Sequence, residues 1–206
     1  MGHYFTNNEN LKSELRSINY NLLNTSFVFF TDNGVFSKSS IDFGSKLLIE
    51  EYLKNSNNNL EILDVGCGYG VIGITLSKLT NSYVEMIDIN KRSVHLTKMN
   101  IDKNKVNANT FVSDIYENIT KKYDIIITNP PIRAGKKVYM TILNDAKNHL
   151  KENGELWFVI RKEQGAKTVA EKLEEIYNIT LIKKYKGYYI YCANLRWQIE
   201  SSLLTL

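Results

Sequence analysis

The chain has 206 residues but only two cysteines, three histidines and two prolines. Cys67 and Cys192 lie far apart in apolar stretches, which indicates reduced, buried thiols in a cytoplasmic protein rather than a disulfide. His3, His95 and His149 share no ligand spacing with each other or with the cysteines, so we predict no metal site. There is no G-x-S-x-G motif, so a hydrolase triad has no starting point.

Long apolar runs and a strong net charge are missing too. No run approaches the ~20 apolar residues that a membrane helix needs, and the polar start of the chain lacks a signal-peptide core. We therefore expect no membrane partner. The formal net charge of +4 is compatible with a polyanionic partner but too small to require one.

From residue 60 onward, short apolar runs alternate with helical patterns. The predicted strands are "LEILDV" (60–65), "YVEMIDI" (83–89), "ANTFVSDI" (108–115), "YDIIITN" (123–129) and "ELWFVI" (155–160). Later helical faces are formed by Tyr139, Ile142, Leu143, Ala146 and Leu150, and by Ala166, Val169, Ala170, Leu173 and Tyr177. This alternation predicts βαβ units and a mainly parallel sheet.

Both ends of the chain depart from this alternation. Two strand-like runs flank residues 186–187 and predict a final antiparallel hairpin. Alternating apolar residues between 18 and 29 favour another hairpin that turns near Asn24, although the apolar positions 11, 15, 18 and 22 also fit a helix. We therefore predict an N-terminal extension (1–44), a core domain (45–197) and a C-terminal tail (198–206).

A glycine cluster, "ILDVGCGYGVIG", follows the first core strand. Its G-x-G-x-x-G at residues 68–73 is, taken alone, a dinucleotide fingerprint with Asp88 as the ribose partner. However, the glycines begin earlier, at Gly66, and Asp64 precedes them. A carboxylate there would repel a pyrophosphate, whereas it can organise a wider loop and reach the ammonium of an amino-acid moiety.

Two more carboxylates follow the next two strands. Asp88 can accept both hydroxyls of a ribose, and Asp114 suits an adenine amino group, with Ile89 and Ile115 able to enclose the ring. One such Asp is often only a helix N-cap. Three in succession predict a ligand site at the carboxyl edge of the sheet.

These residues resemble the class I S-adenosylmethionine-dependent methyltransferases, over roughly residues 26 to 197. The match lies in "DVGCGYG", in Asp88 and in "SDI" (113–115). It implies S-adenosylmethionine as cofactor and an α/β, Rossmann-like, seven-stranded, mainly parallel sheet with an antiparallel last strand, preceded here by a small β-hairpin extension. The implied cofactor-binding residues are Asp64, Gly66, Cys67, Gly68, Gly70, Asp88, Ile89, Asp114, Ile115 and Asn129.

The two prolines are adjacent and follow Asn129 at the end of the fourth core strand. Pro130 and Pro131 stop the sheet ladder and stiffen the chain, while the residue before them is held extended. We predict a rigid edge where the Asn129 side-chain oxygen and the Pro130 carbonyl accept both protons of an NH2 group and aim its lone pair at a methyl group. The motif resembles the N-P-P-[YF] signature of amino-methylating enzymes, with Ile132 replacing the aromatic residue.

Three separated segments, "TDNGVFSK" (31–38), "IDFGS" (41–45) and "NPPIRAGK" (129–136), resemble the small-subunit ribosomal RNA guanine-N2 methyltransferases and their short single-domain relatives. This resemblance implies that Phe36 lies over the cofactor pocket, where it could replace the missing aromatic residue. The cations that follow the prolines fit phosphate contacts. The predicted substrate-binding residues are Phe36, Lys38, Ile132, Arg133 and Lys136, with Lys137 beside them.

We therefore expect methyl transfer from S-adenosylmethionine to the exocyclic N2 amine of a guanine in 16S ribosomal RNA. A homodimer, or RNA binding by the N-terminal hairpin, could replace the second domain of larger relatives. The same chemistry on adenine in DNA or RNA, or on a protein glutamine amide, is the alternative. A nicotinamide-dependent oxidoreductase would leave N-P-P unexplained, and a non-catalytic RNA-binding protein predicts a damaged cofactor site.

Overall fold

The computed structural model describes residues 12–196. The strands are β1 Arg16–Leu22, β2 Thr25–Thr31, β3 Glu61–Val65, β4 Tyr83–Asp88, β5 Ala108–Val112, β6 Tyr123–Thr128, β7 Leu150–Arg161, β8 Tyr177–Tyr185 and β9 Tyr188–Leu195. The α-helices are α1 Phe43–Leu53, α2 Val71–Thr80, α3 Lys91–Asn104, α4 Lys136–Asp145 and α5 Ala166–Leu173. The start of the N-terminal extension, residue 197 and the tail (198–206) lie outside the described residues, and the domain boundaries stay predictions.

Strands β3 to β9 form one seven-stranded sheet in the order β5-β4-β3-β6-β7-β9-β8. Neighbours from β5 to β7 run parallel, whereas β9 is antiparallel to both β7 and β8. Strands β1 and β2 form the separate hairpin that turns at Leu23 and Asn24. The predicted fold class and both hairpins are thereby confirmed.

A hydrophobic cluster covers each face of the sheet. In β3, Ile62 belongs to the cluster under α1 and α2, and its neighbour Leu63 to the cluster under α4 and α5. This alternation follows from the two-residue period of a strand. Burial on both faces also explains why β3 and β6 read as nearly continuous apolar runs.

Three predicted element boundaries differ from the structure by more than one residue. Strand β5 ends at Val112, because a turn follows in which Ile115 has φ +50°. Leu150 opens β7 instead of extending α4, since it pairs with Tyr123 before the register shifts to Ile125 opposite Glu155. Tyr177 likewise opens β8 rather than ending α5. Leu150 and Tyr177 are both fully buried. Their apolar spacing therefore indicated burial correctly, but it did not indicate a helix.

The N-terminal hairpin is held to the sheet domain by two buried asparagines on α3. Asn100 accepts a hydrogen bond from the Phe30 N–H (2.6 Å) and donates to the Phe30 carbonyl (3.0 Å). Asn104 does the same for Val28, at 3.1 and 2.9 Å. The free edge of β2 is therefore bonded to side chains, which satisfies backbone groups that would otherwise be buried unpaired.

We expect Asn100→Ala or Asn104→Ala to lower the free energy of unfolding by about 1–3 kcal/mol, because each leaves a backbone N–H and C=O without partners. Hydrogen exchange should accelerate at the amides of Val28 and Phe30 and remain slow in the seven-stranded sheet. The exposed Asn58→Ala is the control. Unchanged protection at both amides would contradict this attachment.

Candidate active site

A cavity of about 290 Å³ opens at the carboxyl edge of the sheet, where open α/β folds bind ligands. Its lining comes from the ends of β3, β4 and β6, the turn after β5 and the segment before α1, with further residues from helices α1 to α4. It includes most of the residues predicted for the site: Phe36, Gly66, Cys67, Gly68, Asp88, Ile89, Asp114, Ile115, Asn129, Pro130 and Pro131. Asp64, Gly70, Lys38, Ile132, Arg133 and Lys136 lie outside the lining.

Asp64 lies behind the glycine loop rather than in the cavity. One carboxylate oxygen accepts a hydrogen bond from the Gly73 N–H at 2.9 Å, and the other is buried without a hydrogen-bond partner. Burial, with a smaller contribution from the charge of Asp88, raises the pKa of Asp64 to about 7. The expected direct contact with an ammonium group therefore does not fit this placement, whereas organising the loop does. Gly70 is also behind the surface, at the N-cap of α2.

Asp88 ties the end of β4 to the glycine loop. Its carboxylate accepts hydrogen bonds from the N–H of Gly68 at 2.9 Å and of Asn90 at 2.8 Å. Gly68 has φ +58°, a conformation that side chains disfavour. Burial raises the pKa of Asp88 to about 6, against the lowering effect of these backbone donors. A carboxylate offers about four acceptor sites, so Asp88, which lines the cavity, can accept a further hydrogen bond.

The side chain of Asn129 is oriented by two acceptors from the start of α1. Its NH2 group donates to Asp42 Oδ2 at 2.9 Å and to Ser45 Oγ at 2.8 Å. The same Asp42 oxygen caps α1 by accepting from the Ser45 N–H at 2.9 Å. With both amide protons bonded, the Asn129 oxygen is left as the acceptor. Sequence reasoning noticed "IDFGS" but missed the role of Asp42 and Ser45.

The two prolines turn the chain sharply at the cavity. Pro131 has φ −74° and ψ 78°, and the Ile132 N–H donates to the Pro130 carbonyl at 2.8 Å. These values are those of an inverse γ-turn. One lone pair of the Pro130 carbonyl is therefore occupied, and its predicted bond to an amine would use the second.

The loop that carries Phe36 is held by hydrogen bonds before and after that residue in the sequence. The Tyr69 hydroxyl donates to the Ser37 carbonyl at 3.2 Å, and the Asn90 amide donates to the Gly34 carbonyl at 3.1 Å. Phe36 lines the cavity with its side chain 39% exposed. Lys38 instead donates to Asn33 Oδ1 at 2.9 Å and stays outside the lining.

The residues after the prolines divide into a lining row and an exposed row. Ala134, Val138 and Ile142 line the cavity, and their four-residue spacing is a helical signal that the sequence offered. Arg133, Lys136 and Lys137 are exposed outside it, and Ile132 packs against the core.

Comparison with known proteins decides the family. A family model described as "Methyltransferase small domain" matches residues 26–192. The chain belongs to the methyltransferase small domain family. The resemblance to class I S-adenosylmethionine-dependent methyltransferases is thereby confirmed, and "DVGCGYG" and N-P-P fall within the matched region.

Relatives within this methyltransferase family differ in length. A Bacillus subtilis protein named "Uncharacterized protein YbxB" is 44% identical over 193 residues, which cover 91% of this chain and 96% of that protein. The ribosomal RNA small subunit methyltransferase C of Psychromonas ingrahamii is 33% identical over 147 residues, covering 69% of this chain but only 42% of that protein.

A solved methyltransferase structure has the same fold. It is the T. thermophilus 16S rRNA N2 G1207 methyltransferase (RsmC) in complex with AdoMet and guanosine, with a TM-score of 0.81 and 25% identity. The match covers 90% of this chain and 52% of that chain. The present chain thus spans about half the length of the solved relative.

Asp64→Asn should remove a pH-dependent loss of stability. Because burial raises the pKa of Asp64 from 3.8 to about 7, folding binds a proton between these values, so stability is greatest below the lower value and is lost as pH rises through the upper one. We expect the difference in unfolding free energy between variant and wild type to grow in favour of the variant from about pH 4 to about pH 7 and then level off. Urea unfolding at several pH values measures it, with the exposed Asp102→Asn as control. A difference independent of pH would contradict a neutral buried carboxyl.

Ser45→Ala should slow methyl transfer without weakening cofactor binding, because one Asn129 proton loses its acceptor and the amide turns more freely. We expect kcat to fall roughly tenfold, the equivalent of about 1.4 kcal/mol. Ser45→Thr, which keeps the hydroxyl, should restore it, and the exposed Ser39→Ala should have no effect. A rise in KM or a fall in melting temperature, with kcat unchanged, would show a structural role instead of positioning.

Proposed function

We propose that this chain transfers a methyl group from S-adenosylmethionine to the exocyclic N2 amine of a guanine in small-subunit ribosomal RNA, in the cytoplasm. The observation that carries the proposal is the orientation of Asn129, whose NH2 group is bonded to Asp42 and Ser45 so that its oxygen remains the acceptor. The names of the two RNA-methylating relatives support the same substrate.

The chemistry of the residues that line the cavity fits the cofactor. Its lining combines a backbone glycine loop (66–68) with an acid at the end of β4 and another after β5. We propose that Asp88 accepts the ribose hydroxyls and that Asp114, with Ile89 and Ile115, contacts the adenine. The bound cofactor would supply an electrophilic methyl group.

We propose that the remaining chemistry is positioning. The Asn129 oxygen and the second lone pair of the Pro130 carbonyl would accept the two protons of the guanine amine. These bonds would fix the plane of the amine and direct its lone pair, so no strong base is required before transfer. The short turn at Pro131 keeps the two acceptors at a fixed separation.

Phe36 is our candidate for the aromatic residue that Ile132 lacks. It lines the same cavity as Asn129 and is carried by a loop fastened at Ser37 and Gly34. A guanine placed between this ring and the proline turn would be held by stacking. The cations Arg133, Lys136 and Lys137 are exposed beyond the turn, where phosphates of the same strand could reach them. A homodimer stays a prediction.

Radiolabelled S-adenosylmethionine, incubated in parallel with ribosomal RNA, small ribosomal subunits, duplex DNA and total protein, separates the possible substrates. We expect label in RNA, recovered as N2-methylguanosine after digestion. Asn129→Ala should lower kcat by about 10²–10³, because it removes an acceptor that acts in the transition state. Cofactor affinity by calorimetry should change little.

Asn58→Ala, on an exposed loop, is the matched control for this experiment. Label in DNA or protein with none in RNA would overturn the ribosomal substrate and keep methyl transfer. Full turnover by Asn129→Ala would overturn the role given to the N-P-P turn.

A further inference from the structure

An exposed aromatic group lies beside the cavity, at the turn between β8 and β9. Phe43 and Tyr185 are 37% and 45% exposed. The Phe43 ring centroid is 5.3 Å from that of Tyr188 and 6.2 Å from that of Tyr185. The three rings, one from α1 and two from the hairpin, therefore form one continuous surface. We call these rings, together with Lys186 and Arg161, the hairpin patch.

Cations cover the rings of this patch. Lys186 Nζ lies 5.7 Å from the Phe43 centroid and 5.4 Å from the Tyr185 centroid. The Arg161 guanidinium carbon lies 5.2 Å from the Tyr188 centroid. At exposed sites such cation–π contacts are weak, so a ligand with its own negative charge and flat rings can replace them.

The patch borders the acceptor side of the cavity. Phe43 directly follows Asp42, which holds the Asn129 amide. A Cβ at Gly44 would come within 2.9 Å of Tyr188 Cε1, so the absence of a side chain there lets the Tyr188 ring lie against the start of α1. Burial, and then the charge of Asp42, raise the pKa of Tyr188. If an RNA base is bound at Asn129, the nucleotides next to it in the strand would lie within reach of these rings.

The charge around the patch is strongly positive. The hairpin sequence "KKYKGYY" (183–189) interleaves lysine with tyrosine. Arg161 and Lys162 are exposed beside it, and Glu163 pairs with Arg161 at 2.8 Å. Lysines over aromatic rings are a poor surface for burial against a protein, since each ammonium would lose water. A single-stranded polyanion avoids that cost, because its phosphates pair with the cations while its bases stack on the rings.

We infer that the hairpin patch binds the single-stranded RNA that flanks the methylated nucleotide. Bases stack on Tyr185 and Phe43, and Lys186 and Arg161 contact phosphates. The inference rests on the proposed RNA substrate. It adds a binding surface next to Asp42, the residue that holds the Asn129 amide.

Fluorescence anisotropy with a labelled single-stranded RNA of about 12 nucleotides tests the patch without any turnover. Tyr185→Ala should weaken binding roughly tenfold, and Tyr185→Phe should bind as the wild type does, because stacking needs the ring and not the hydroxyl. Lys186→Ala should lower the slope of log K against log salt by about 0.7, the loss of one phosphate contact on a single strand. Leu181→Ala, 48% exposed on the same strand, and the exposed Lys172→Ala are the controls.

Unchanged affinity and salt slope in Tyr185→Ala and Lys186→Ala would overturn the inference. So would a Tyr185→Ala variant that changes oligomeric state in light scattering yet binds RNA normally, since the patch would then be a contact between copies. If the wild type places no methyl label in RNA, the proposed function fails on its own, and the anisotropy result still decides the patch. Cross-linking of 4-thiouridine RNA to residues 183–189 would support it independently.

Discussion

The site depends on one constraint, that both protons of the Asn129 amide are already bonded. Asp42 and Ser45 take them, so the side chain cannot turn without breaking two hydrogen bonds, and its oxygen keeps a fixed direction. Asp42 also caps α1. The start of α1 and the end of β6, 87 residues apart at Asp42 and Asn129, are thereby joined at the cavity. The segment before the first strand of the sheet therefore contributes residues to the lining of the candidate site, since Asp42 and Ser45 both line the cavity.

Most of the fold could be predicted because its signals are local. Apolar runs predicted the parallel strands, and Lys186-Gly187 predicted the final hairpin. Alternating apolar residues between 18 and 29 favoured the first hairpin, which turns at Leu23 and Asn24. Leu150 and Tyr177 were misplaced because a buried strand residue and a buried helix residue can share the same apolar spacing. Leu150 belongs to a strand because it pairs with Tyr123. That pairing is a contact between residues distant in sequence, so a local pattern cannot show it.

The candidate site was predicted where a motif carries its own geometry. Gly68, Asp88 and the N-P-P turn all line the cavity. Asp64 does not line the cavity. Its position at a strand end does not reveal which side of the loop the carboxylate faces, and that carboxylate accepts a hydrogen bond from the Gly73 N–H behind the loop. Asp42 and Ser45 were missed because their partner is distant in sequence. Ala134, Val138 and Ile142 recur every four residues, a helical spacing that the sequence offered for this side of the cavity.

The asparagine pair on α3 shows how a helix can take the place of a strand. Four residues of a helix advance about 6 Å, and two residues of a strand advance about 6.7 Å. Asn100 and Asn104 therefore repeat with nearly the same step as Phe30 and Val28. The near-equality of the two steps fixes the hairpin along its own length, because a slide by one residue would bring backbone groups that face β1 opposite both amides. Phe36 follows this hairpin in the chain and lines the cavity. Its position along the cavity is therefore set by the two hydrogen-bonded asparagines of α3.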